Sequence, residues 1–106
     1  LSVCVTSNVP RGAGVSSSAS VEVAFARAYL HHIGLKIDPY TLAHMCQEVE
    51  HKVAHAPCGI MDQIAVSYAQ KGCLLPIECR PGGAVVRPSL RMHPSIGVWG
   101  IITKQK

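Results

Sequence analysis

Acidic residues, aromatic side chains and long apolar runs are all scarce in this chain, and each shortage removes a class of function. Six Asp and Glu stand against ten Lys and Arg, a formal net charge of +4. That excess favours an anionic ligand such as a nucleotide. The basic residues nevertheless form no run and are not interleaved with aromatics, which argues against a nucleic-acid surface. One Phe, three Tyr and one Trp leave little material for base-stacking platforms. No apolar stretch approaches the roughly 18 residues of a membrane-spanning helix. No basic segment opens the N-terminus, as a secretory signal would require. Cysteine occurs at Cys4, Cys46, Cys58, Cys73 and Cys79, never as Cys-x-x-Cys. A zinc site is therefore not signalled. An odd, scattered set reads as buried small hydrophobes in a reducing, cytoplasmic compartment.

What is present suffices for one ordered domain with a modest core: 106 residues, 48% hydrophobic and only 15% charged. Ser2 to Ser7 alternates around Val3 and Val5 and predicts a strand, ended by Asn8-Val9-Pro10. A first helix is expected from about Ser17 to Ile33. Its apolar residues (Val21, Val23, Ala24, Phe25, Ala26, Ala28, Leu30) lie on nearly every side, so it should be largely buried. Asp38-Pro39 predicts an N-cap with proline at the first helical position. The second helix, about Pro39 to Val53, carries an apolar stripe at Leu42, Met45, Cys46, Val49 and Val53, with Glu50 at its edge. A short third helix near Gly59 includes Met61, Ile64, Ala65 and Tyr68. Beyond Gly72 the chain turns β-like at Cys73–Cys79 and Ala84–Arg87, with a last strand at Ile96–Ile102. The order predicts an α+β fold rather than regular βαβ alternation.

Two stretches carry chemistry. In Pro10–Ser20, PRGAGVSSSAS, a Gly-Ala-Gly bend leads into three serines and a helix-compatible run. Glycines let the backbone approach a ligand closely, and a helix start offers free N–H groups and a positive dipole end. That combination suits a phosphate. A serine N-cap after a flexible turn is the plainer alternative. In Ala56–Gln63, APCGIMDQ, Asp62 is an acid among Ile60, Met61, Ile64 and Ala65. An isolated buried charge costs several kcal/mol, so it needs a partner or a purpose. An exposed acid near a helix N-terminus is the alternative.

Together the two stretches resemble the GHMP kinase superfamily. Pro10-x-x-x-Gly14-Val15-Ser16-Ser17-Ser18-Ala19-Ser20 is similar to its phosphate-binding loop, and Cys58-Gly59-Ile60-Met61-Asp62-Gln63 looks like its sugar 1-kinase branch. Within that branch, SVCVTSNVP, GVSSSASVEVA and APCGIMDQ look most like plant-type L-arabinokinases, with galactokinases as near relatives. The resemblance reaches about Gly100. It implies an α+β fold of the ribosomal protein S5 domain 2-like type, with residues 1–100 as part of an N-terminal ATP-binding domain and 101–106 as a divergent tail. The activity implied is ATP-dependent phosphorylation of a sugar at its anomeric hydroxyl. Gly12, Ala13, Gly14, Val15, Ser16, Ser17, Ser18 and Ala19 would wrap the ATP phosphates. Ser18 and Glu50 would meet Mg²⁺, Asp62 would be the catalytic aspartate that orients and deprotonates the attacking hydroxyl, and Gly59 and Asp62 would contact the sugar. These roles suit phosphoryl transfer, which needs charge neutralisation and alignment more than covalent chemistry. The implied partners are a small sugar and ATP, with no nucleic acid and no membrane.

A galactokinase is the alternative within the class, and a non-catalytic sugar- or ATP-binding module or inactive product is the alternative outside it. The family's upstream sugar-holding segment and its C-terminal domain do not match anything here, so the chain alone is expected not to phosphorylate sugar. His51 and His55, spaced four apart, lack a third ligand and read as helix-surface residues, as do His31, His32 and His44 at helix ends or surfaces. Trp99 reads as core, and Arg80 and Arg87 as solvated strand ends.

Overall fold

The structure, a computed structural model, describes residues 1–105. Three helices come first, α1 (Ser17–His32), α2 (Pro39–Lys52) and α3 (Met61–Tyr68), followed by the short strands β1 (Cys73–Leu74), β2 (Ile77–Arg80), β3 (Gly83–Val86) and β4 (Leu90–Arg91). The α+β expectation holds. So do the helix positions, because their punctuation is local. Asp38 caps α2 by accepting from the Thr41 N–H at 2.9 Å, with Pro39 at the first helical position. At the other end of α1, Gly34 turns left-handed at φ +76°, and the Leu35 N–H closes back on the Leu30 carbonyl at 2.9 Å.

The strands form two separate antiparallel pairs. β2 and β3 make a hairpin with Ile77 opposite Val86 and Arg80 opposite Gly83, turned by Pro81-Gly82. β1 pairs with β4, Cys73 opposite Arg91. The single strand expected over Cys73–Cys79 is thus two, divided at Pro76, which has no N–H to give a ladder. The hairpin is fastened to α2 by the Tyr40 hydroxyl, which accepts from the Ala84 N–H at 3.1 Å.

Two expected strands do not form. Ser2–Ser7 and Ile96–Ile102 pair with no strand among the described residues, and their apolar side chains are exposed, Val3 at 55% and Ile101 at 90%. Alternation alone does not make a strand; a ladder needs a second backbone. Trp99, expected in the core, is 92% exposed for the same reason. The cysteines depart too: Cys46 is buried, Cys73 half-buried, and Cys4, Cys58 and Cys79 exposed, all with free thiols. None of the helices is long and apolar enough to cross a membrane.

The core lies where the three helices meet. Val23 of α1 packs with Leu42 and Cys46 of α2, and Ala43 of α2 packs with Ile64 of α3 and with Ile60, the residue just before α3. Only one side of α1 is covered, at Ala19 and Val23, while Val21, Phe25 and Tyr29 on its other side stay exposed. The stripe of α2 is rotated from expectation as well. Leu42, Ala43, Cys46 and Glu50 face inward, and Met45, Val49 and Val53 face out. Two neighbouring helices select the Ala43 side, because a small residue lets α3 approach closely.

Ile64 is fully buried at the centre. Ile64→Ala is expected to cost about 2–5 kcal/mol in urea unfolding, a large share of the roughly 5–15 kcal/mol available to a domain. Ile101→Ala should leave the urea midpoint unchanged. Equal losses for the two substitutions would contradict this packing.

Candidate functional site

The serine segment is a kinked turn that opens into a helix. Gly12, Gly14 and Ser16 all adopt left-handed backbone conformations, at φ 68°, 72° and 59°, and α1 begins at Ser17. Alternate left-handed residues turn successive N–H groups toward one concavity. From Arg11 to Ala19 no backbone N–H has a hydrogen-bond partner among the described residues. The plain capping alternative is weakened, since Ser16 occupies the N-cap position without a side-chain cap bond. No acid lies in the first turn of α1 to offset the dipole. Beside the turn, Arg11, Ser17, Ser18 and Val21 line a groove of ≈ 420 Å³. The left-handed Ser16 is also a strained position that a glycine would take freely.

One helical turn beyond Ser18, on the same face of α1, stands Glu22. Its carboxyl lies within electrostatic reach of Glu50 on α2 and Gln63 on α3. Glu50 is only 7% exposed, so it lies within the buried face rather than at its edge. Burial pushes the Glu22 carboxyl up to about 7, the hydrogen bond and charge of Glu50 add to the rise, and Gln63 opposes it. Two facing carboxyls must share a proton or a cation. Oxygen donors of this kind suit a small hard cation such as Mg²⁺. Among the described residues no group of three or more His, Cys, Asp or Glu is placed to hold a metal, so Ser18, Glu22 and Glu50 would depend on phosphate and water oxygens to complete a coordination shell.

Asp62 is half-buried in the first turn of α3, directly before the buried Gln63. The loop that delivers it is pinned to α2. The Gln47 amide donates to the Cys58 carbonyl at 3.1 Å, and His51 Nε2 lies 3.1 Å from the Cys58 N–H and 2.8 Å from its carbonyl. His51 is an exposed residue on the surface of α2, as expected, and from there it also anchors the loop. Burial raises the Cys58 thiol, and the charges of Glu50, Glu22 and Asp62 raise it further, so the fields of these three carboxylates overlap there. At Gly59 a Cβ would meet nothing within 4 Å, which leaves the space over the loop open.

Comparison with known proteins shows the family. Residues 1–70 match the GHMP kinases N terminal domain. The chain belongs to the GHMP kinase family. It is 45% identical over 101 residues to L-arabinokinase of Arabidopsis thaliana, covering 95% of this chain and 10% of that protein. It is 48% identical over 82 residues to galactokinase of Homo sapiens, with 74% and 20% covered, and 39% identical over 72 residues to galactokinase of Clostridium beijerinckii, with 68% and 18% covered. The chain thus spans a fifth or less of these relatives. No solved structure matches.

For a GHMP kinase domain, the sequence singled out neither Glu22, Gln63 nor Gln47, and it gave His51 only as a surface residue and not as a loop anchor. Glu22 was findable, because the argument that singled out Asp62 among apolar neighbours applies equally to an acid between Val21 and Val23. Gln63, Gln47 and His51 had no comparable signal, since their contacts depend on how α2 and α3 cross.

The Glu22 carboxyl binds its proton more tightly in the folded chain than in the unfolded one. Its stabilising contribution is therefore complete below about pH 4.5 and is lost as pH rises through about 7. The groups facing it are Glu50 and Cys46 from α2, Gln63 from α3 and Cys58 from the loop. Asp38 and Glu78, both shifted down, act only at lower pH. Urea midpoints should fall between about pH 5 and pH 8, and Glu22→Gln should flatten that slope. An identical slope in Glu22→Gln would contradict the assignment.

Proposed function

We propose that this chain supplies the phosphate turn, metal-side carboxylate and catalytic aspartate of an ATP-dependent sugar 1-kinase, with L-arabinose as the first candidate acceptor and D-galactose the second. The observation that carries the reading is the row of unpartnered N–H groups from Arg11 to Ala19, at the start of a 16-residue helix. Gly12 to Ala19 would hold the β- and γ-phosphates through backbone N–H groups, with Arg11 nearby to neutralise charge. Asp62 would accept a hydrogen bond from the anomeric hydroxyl and draw its proton as that oxygen attacks the γ-phosphorus. The bond from the γ-phosphorus to the β,γ-bridging oxygen breaks, ADP leaves, and the sugar 1-phosphate forms. Mg²⁺, when bound, would neutralise phosphate charge between Ser18 and Glu50. Gly59 leaves space for the sugar over the Cys58 loop.

The likeness to both an arabinokinase and galactokinases supports a pyranose acceptor. L-Arabinose and D-galactose differ by one hydroxymethyl group, worth only about 1–3 kcal/mol of discrimination.

The test is a chimera in which this chain replaces the aligned segment of Arabidopsis thaliana L-arabinokinase. ADP release should be sugar-dependent, and Asp62→Asn should lower it roughly 10²–10⁴-fold while ATP binding persists. A chimera that binds ATP and sugar but turns over equally well with Asp62→Asn would refute the catalytic assignment.

A further inference from the structure

A groove of ≈ 630 Å³ runs between the segment Leu1–Val9 and the outer face of α1. Its α1 wall carries Val21, Phe25 and Tyr29, four residues apart and nearly half exposed, with the last two rings stacked at 6.3 Å. Val3 and Val5 on the other wall are more than half exposed. We propose that this face is the interface of a symmetric homodimer, in which Ser2–Thr6 pairs antiparallel with the same segment of a second copy and the paired strands lie over both α1 faces.

Four observations select a second copy as the occupant. The sequence Ser2-Val3-Cys4-Val5-Thr6 reads nearly the same in both directions about Cys4. Antiparallel pairing about Cys4 sets Val3 opposite Val5 of the partner subunit and Ser2 opposite Thr6 of the partner subunit. All four valines then share one side of the ribbon. A two-fold interface needs a surface that complements itself, and this segment does. Second, Ser2 to Thr6 make no backbone hydrogen bond among the described residues, so a whole ladder is open to another strand. Third, no Lys, Arg, Asp or Glu lines the groove, although the chain carries a net charge of +4. Two copies of a basic chain can meet there without repulsion, whereas a charged partner would find no counter-charge. Fourth, the chain exposes 8548 Å², against roughly 5,700 Å² for a compact monomer of 11.3 kDa. A standard interface hides roughly 800 Å² on each partner, well within that excess.

The test is sedimentation equilibrium over a dilution series. The native chain should reach about twice its 11.3 kDa mass at the concentrated end. Val5→Lys should weaken the dimer about tenfold or more, because it sets a charge within the apolar side. Adding Val3→Glu should recover most of that loss, since the register sets each new acid opposite a new lysine of the other copy. Phe25→Ser should weaken the dimer as well, and Ile101→Ser, exposed elsewhere, should not. Val5 and Phe25 lie outside the helix core, so helical circular dichroism should be the same in every variant. A native chain of single mass throughout the series overturns the inference and leaves the groove to another polypeptide. So does a dimer that Val5→Lys and Phe25→Ser leave untouched, or a mass that grows without closing at two. A loss from Val5→Lys that Val3→Glu does not recover overturns the pairing about Cys4.

Discussion

The close approach of α2 to α3 at Ala43 and Ile64 is the constraint on which the rest of this structure depends. Both side chains are fully excluded from water, and the small Cβ of Ala43 is what lets the helices come together there. With that contact made, the neighbouring positions follow. Leu42 and Cys46 turn toward Val23 of α1, and Glu50, two turns beyond Leu42, is carried into the same buried face. The Cys58 loop is brought within reach of Gln47 and His51. Packing chosen by apolar residues thus sets where the polar ones meet.

The polar groups so assembled are of two opposite kinds. The turn before α1 offers N–H groups, a dipole end with no acid beside it, and Arg11. A turn further along lie Glu22 and Glu50, whose mutual contact is unfavourable when both are ionised. A donor-rich turn next to an acceptor-rich pair suits a polyphosphate that carries a cation, since each half compensates what the other repels. Arg27 contributes elsewhere: it bonds the Ser67 carbonyl at 2.9 Å, placing a cation at the C-terminal end of α3. That contact steadies the helix whose first turn carries Asp62.

The parts of the fold legible in the sequence were those written in local chemistry. Asp38-Pro39 fixed the start of α2, Gly34 the end of α1, and the Gly-Ala-Gly-Val-Ser run the kink before Ser17. What could not be read were features set by a partner at long range. Val3 and Val5 alternate as a strand would, but no second strand pairs with them. Met45, Val49 and Val53 make as good a stripe as Leu42, Cys46 and Glu50, and only the crossing of α2 with α1 and α3 decides between them. The functional motifs were legible as a resemblance, whereas the contacts of Gln47 and Gln63 required the crossing of α2 and α3 to become visible.

The central claim is that the backbone from Arg11 to Ala19 is a phosphate cradle. The most direct measurement is an amide-resolved NMR titration of the chain with inorganic pyrophosphate, at constant ionic strength. The account predicts saturable shifts concentrated in the N–H groups of Arg11 to Ala19, with the amides of the β2–β3 hairpin unmoved. Shifts spread over the exposed face of α1 at Phe25 and Tyr29, or none within the serine turn, would contradict it.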